Sequence, residues 1–134
     1  MTQVAAVRAE ERTRLVCDQA APANARHFVT RCLREWGEGS RTDDALLLVS
    51  ELVTNAVQHG DCAATEVRVQ LSAHALSIGV SDGSTRTPAV AAYSIGPGGM
   101  GLRIVDDVAD RWWCDPSEAG KTVWAELGLR RRDP

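Results

Sequence analysis

Glu51, Asn55 and His59 recur at four-residue spacing in the run Thr42–His59. At 100° per residue these three fall on one side of a helix together with Asp44 and Gln58. Ala45, Leu46, Val49, Leu52, Val53, Ala56 and Val57 fill the opposite arc. A wet helix face ordinarily carries Lys, Glu and Arg, and Asn or His costs about a few tenths of a kcal/mol more per residue. Standing alone, the row reads as solvated surface. It does not stand alone, because a glycine-rich stretch and an Asp-Gly pair follow downstream. Mg²⁺ takes hard oxygen ligands, keeps several waters, and needs only one or two protein groups when phosphates supply the rest. Asn55 suffices for that, and Glu51, one turn away, is placed to orient a water or accept a proton from an attacking hydroxyl. His59 reads as a C-terminal helix cap.

The glycine-rich stretch is Gly96-Pro97-Gly98-Gly99-Met100-Gly101, just before a helix that begins with Leu102. Closely spaced glycines let backbone N–H groups approach phosphate oxygens, and a helix N-terminus adds partial positive charge. Two phosphate motifs compete for these letters. Gly120-Lys121-Thr122 resembles the end of a P-loop, but Asp115 stands where that motif needs glycine, so it fails. Gly96 to Gly101 satisfies GxGxxG, with 91–95 as the preceding strand and Asp115 or Glu118 as a ribose-binding acid. Too little chain follows for the remaining parallel strands, so a dinucleotide-binding oxidoreductase is the alternative reading. Asp82 closes an apolar run before Gly83. Its carboxylate could accept the exocyclic amino group of adenine, with Gly83 leaving room for the ring, although capping a turn is the commoner fate of Asp-Gly.

These residues need elements to hold them. The spacing predicts a loose leader over 1–10, a strand over Thr13–Asp18 and a helix over Ala23–Trp36, with Pro22 in its first turn and Gly37 and Gly39 ending it. A second helix runs to about His59, with Ser40 and Thr42 as candidate caps, Asp43 and Asp44 in its first turn, and Gly60-Asp61 closing it. Thr65–Leu71 and Ala75–Val80 form an antiparallel hairpin across Ser72-Ala73-His74. Ser81–Gly99 is a long loop suited to a lid. Gly101–Ala109 is a short helix, and Arg111–Cys114 and Thr122–Leu129 are the last strands, joined around Pro116–Gly120. Adjacent Trp112 and Trp113 take opposite faces, and two of Trp112, Trp113 and Trp124 belong to the core. The order predicts an α/β (α+β) two-layer sandwich, with helices on one face of a mixed, mostly antiparallel sheet.

A chain of 134 residues gives one domain with one core, here about residues 13–129. Net charge −3 argues against a nucleic-acid platform, and Arg130-Arg131-Arg132 reads as a solvated tail. Charged residues from Arg8 to Arg14 fill the place of a signal peptide's apolar core, and no apolar run is long enough to span a membrane. Cys17, Cys32, Cys62 and Cys114 form no CxxC pair, so a reducing cytoplasm is expected.

From about Thr13 to Leu129 the chain resembles the GHKL (histidine-kinase-like) ATPase superfamily, and within it the small anti-sigma-factor serine/threonine kinases. Glu51-x-x-x-Asn55-x-x-x-His59 is similar to the N box, which implies Mg²⁺ on Asn55 and Glu51 as base. Asp82 with Gly83 matches the adenine-binding box. Gly98, Gly99, Met100, Gly101 and Leu102 match the phosphate-binding glycine box. Gly120-Lys121-Thr122 matches the last motif, implying that Thr122 joins the Asp–adenine network. The resemblance implies ATP and Mg²⁺ as cofactors, a sigma factor and a STAS-type antagonist as partners, and a homodimer. The sequence departs at Asp82-Gly83-Ser84, where Asp-x-Gly is usual, and in a lid, 87–99, without Lys or Arg. Arg86 and Arg103 flank that lid and are no obvious replacements. Nucleotide binding is thus implied more directly than phosphotransfer. A non-catalytic ATP-binding partner-switching module is the second alternative, and a relative that has lost nucleotide the third.

Overall fold

The computed structural model describes residues 6–59, 63–82, 99–117 and 120–129. Its elements, in chain order, are β1 (Val7–Val16), α1 (Ala21–Trp36), α2 (Thr42–His59), β2 (Ala64–Ser72), β3 (Ala75–Asp82), α3 (Gly99–Val108), β4 (Arg111–Ser117) and β5 (Gly120–Gly128). The five strands form one sheet in the order β1-β2-β3-β5-β4. Every pair is antiparallel, so no parallel strand enters the described sheet. The sandwich is α+β as expected, and the sheet is antiparallel throughout rather than mixed. The dinucleotide-binding alternative required a parallel βαβ unit, and this sheet overturns it.

Alternation builds the sheet's inner face. Val67 and Val69 of β2, Leu76, Ile78 and Val80 of β3, and Val123, Ala125 and Leu127 of β5 are buried in register with one another. Against them lie Ala25, Phe28, Val29, Cys32 and Leu33 of α1, Leu48, Val49, Leu52 and Val53 of α2, and Leu102 and Val105 of α3. Each fully buried Val, Leu or Ile contributes about 1.5–3 kcal/mol, so this layer dominates the stabilisation.

Several boundaries differ from the expectations, each for a physical reason. β1 begins at Val7, so 7–10 are strand and not leader. Its inner positions are Ala9, Glu11, Thr13 and Leu15, and Glu11 is accommodated by Arg31 at 3.2 Å and by the Cys32 thiol, which donates to it at 3.2 Å. Burial first, and then this carboxylate, push the Cys32 thiol up to about 12. Pro116 lies within β4, paired with Lys121, rather than in a turn. β4 is an edge strand, where a missing N–H is tolerated. α1 starts one residue before Pro22 and ends at Gly37, whose left-handed φ of 64° lets Gly37 and Glu38 donate to the carbonyls of Arg34 and Leu33. Ser40 and Thr42 donate their hydroxyls to the Glu38 carboxylate and the Gly39 carbonyl, bonds that belong to the α1–α2 connection and not to a cap. Gly60 and Asp61 lie outside the described residues.

The tryptophans also sort differently. Trp112 is half-buried on the helix side and donates to Asp106 at 2.9 Å. Trp124 is buried on the outer face, in register with Gly79 on one side and Trp113 on the other. A Cβ at Gly79 would lie 2.8 Å from the indole, so the absent side chain makes room for the ring. Trp113 stacks on Trp124 with centroids 6.3 Å apart, and the Arg111 guanidinium covers Trp113 at 4.7 Å.

Candidate functional site

Two ends of the sandwich are distinguished by which termini they gather. Arg41, just before α2, donates to the Gly128 carbonyl at 2.8 Å and pairs with Asp110 at 3.5 Å. The start of α2 therefore sits with the end of β5 and the start of β4. α3 ends two residues before Asp110, and it packs against α2. The two helices run in opposite senses, and ten residues of α3 span roughly 15 Å. Its first turn thus comes abreast of the Glu51–Asn55 turn of α2. The end of β3 and the start of β5 reach the same end of the molecule, with Asp82 and Lys121 paired in register.

The polar residues confirm that this end differs from the core. Among the described residues the buried polar side chains are Asn55, Thr65 and Lys121, at 8%, 2% and 6% exposure. All three belong to this end. A polar group is retained inside only where it finds partners. Thr65, at the start of β2, donates its hydroxyl to the Ser81 carbonyl at 2.5 Å and ties β2 to the residue before Asp82. Asn55 lies deeper than Asp44, Glu51 and Gln58 of the α2 polar row, of which Asp44 and Glu51 are half-buried and Gln58 exposed. The row is therefore not a uniformly wet face, and the solvated-surface reading fails at Asn55.

The glycine box supplies the opposite wall. α3 starts at Gly99 and carries no acid in its first turn, so the partial positive charge of its N-terminus has no carboxylate of its own helix against it. Leu102 and Val105, 3% and 0% exposed, anchor that helix in the core. Arg103 is exposed. A carboxamide, a helix N-terminus, the end of β3 and the start of β5 thus gather at one end of the molecule. That arrangement suits a polyanion. Among the described residues no three His, Cys, Asp or Glu gather as a metal site. Asn55 fits an ion held chiefly by phosphate oxygens and water.

Of the residues singled out from sequence, Glu51, Asn55, Asp82, Gly99, Met100, Gly101 and Leu102 belong to elements brought together here. Gly83 and Gly98 lie outside the described residues. Thr122 does not join them. It pairs with Ser81 and Asp115 in the outward-facing row that includes Trp124. Lys121 holds the place across from Asp82, in the inner row with Val123, Ala125 and Leu127. Two adjacent polar residues at a strand start hide which one turns inward, and only the pairing with β3 decides it.

Comparison with known proteins identifies the family and the fold. Over residues 15–127 the sequence matches the family described as histidine kinase-like ATPase domain. Among solved structures, the chain is similar to the crystal structure of the RsbU and RsbW domains of Rv1364c from Mycobacterium tuberculosis, with a TM-score of 0.70 and 20% identity. That likeness is one of fold. It covers 92% of this chain and 33% of that one, so the chain spans about a third of the neighbour's length. No curated protein matches the sequence. With the match covering most of its length, the chain belongs to the histidine kinase-like ATPase domain family.

Proposed function

We propose that the chain binds Mg·ATP at the end of the sandwich where α2, β3, α3 and β5 converge, and that it acts as an anti-sigma factor with serine/threonine kinase activity. The observation that carries the reading is the burial of Asn55 abreast of the first turn of α3. In this reading the α3 N-terminus and its glycines hold the phosphates, and Asp82 accepts the adenine amino group. Mg²⁺, when bound, neutralises charge on the phosphates. Asn55 orients its side-chain oxygen toward it. Glu51 accepts the proton of an attacking Ser or Thr hydroxyl on a STAS-type antagonist, and catalysis comes mainly from positioning. A sigma factor is the second partner, the chain pairs as a homodimer, and the setting is cytoplasmic. Among the described residues, no helix is long and apolar enough to cross a membrane.

Thermal unfolding with Mg·ATP tests the site. Ligand at one hundred times its Kd stabilises by about 2.7 kcal/mol, a rise of about 5–15 °C in Tm for a domain of this size. The rise should disappear in Asn55→Ala and Asp82→Asn. No rise at millimolar ATP would sink the reading. The lid without Lys or Arg favours one rival, a module that holds ATP to order a partner surface and transfers nothing. Phosphorylation of a genuine antagonist, or its absence, separates the two.

A further inference from the structure

A lysine is among the residues least often found fully inside a protein, because its ammonium loses hydration that only a partner or a ligand can replace. Lys121 is 6% exposed. It stands in the inner row of β5, on the side where the helices pack, and its register partners are Asp82 on β3 and Pro116 on β4. Proline offers no side-chain polar group, so the charged position beside Lys121 in the sheet is Asp82. Cross-strand neighbours lie about 5 Å apart at Cβ, within the reach of a lysine stem.

We infer that Lys121 is a base-reading residue, which donates a hydrogen bond to the ring nitrogen N1 of adenine while Asp82 accepts from the adjacent 6-amino group. The inference rests on the ATP site proposed above and adds to it a reader that Thr122, in the outward row, cannot be. The pairing follows from donor and acceptor types. A carboxylate only accepts and an ammonium only donates, and the adenine edge presents a donor beside an acceptor. Guanine carries N1–H where adenine carries a bare nitrogen, so it meets the ammonium with a second donor. Lys121 therefore favours adenine over guanine as well as anchoring the ring.

The test compares ATP with an analogue in which N1 is replaced by C–H, using the full chain and calorimetric Kd values with Mg²⁺ present. In the unsubstituted protein the analogue should bind roughly 10- to 100-fold more weakly, the scale of one lost hydrogen bond to a charged group. In Lys121→Met, and in Lys121→Thr should the first fail to fold, the two ligands should bind within about 3-fold of each other. Taking the ratio within one protein cancels any change in stability or in the charge of the pocket. Equal binding of both ligands by the unsubstituted chain overturns the inference without needing a variant. So does an undiminished ratio in the variants, which would leave Lys121 as a structural partner only. If neither ligand binds, the ATP site itself falls and the inference falls with it. If ATP binds and only the ratio fails, the site stands and the role of Lys121 does not.

Discussion

The two ends of this sandwich hold their polar groups at different depths. At the end where α2 begins, Arg41 bonds Asp44 at 3.0 Å and the Gly128 carbonyl at 2.8 Å, while Asp110 accepts from the Gly128 amide at 2.6 Å. Donors and acceptors there satisfy one another and fasten helix to sheet. At the other end Asn55 and Lys121 are buried at the mouth of the proposed nucleotide site, next to the start of a helix without an acid in its first turn. The first arrangement is a clamp, and the second is the end proposed above to receive a ligand. A fold that locks one end of its helix–sheet interface leaves the other free to receive a ligand without losing register.

Substitutions should separate the ends cleanly. The largest effect is expected from Glu51→Gln, which should lower transfer to an antagonist by about 10²- to 10⁴-fold, the usual contribution of a general base. It should leave the ATP-dependent rise in Tm in place. Next, Asn55→Ala should abolish the nucleotide stabilisation of about 2.7 kcal/mol while changing the stability of the free protein far less, read by thermal unfolding with and without Mg·ATP. Arg41→Ala should do the reverse. It removes hydrogen bonds to charged and backbone partners and should cost about 2 kcal/mol, with ATP affinity unchanged. A loss of ATP affinity in that variant would mean that the ends are coupled and the comparison breaks. Gly79→Ala belongs to neither end. Pushing a Cβ into the Trp124 ring should cost about 1–3 kcal/mol in denaturant unfolding. Smallest is Trp112→Phe, which deletes the bond to Asp106 of α3 and should cost about 1 kcal/mol.

How much of this was legible in the sequence depends on what each residue faces. The helices announced themselves through apolar spacing, and β2 through strict alternation from Thr65 to Leu71. The start of β1 did not, because its inward Glu11 breaks the apolar pattern and is stabilised by Arg31 and Cys32 from α1. The N-box row is visible as a spacing, yet the burial of Asn55 is not, since a helical period does not say how far a neighbouring element covers each face. A two-residue polar step carries no periodicity, so the sequence does not show that Lys121 turns inward and Thr122 outward. Leu48, fully buried, lies outside the seven-residue apolar arc that the helical spacing predicts for α2. Trp124 could not be placed from its own strand, because what covers it is an absence, the missing side chain of Gly79.

The stacked pair of Trp113 and Trp124 has an optical consequence. Two indoles 6.3 Å apart and inclined by only 17° lie close enough for their electronic transitions to couple. The folded chain should therefore show an exciton signature in circular dichroism that vanishes when β4 and β5 part. Trp112 is on the opposite face, hydrogen-bonded to a residue of α3, and its fluorescence reports on that helix instead. The molecule thus carries two built-in dyes, one for the integrity of the sheet and one for the helix abreast of the proposed nucleotide site.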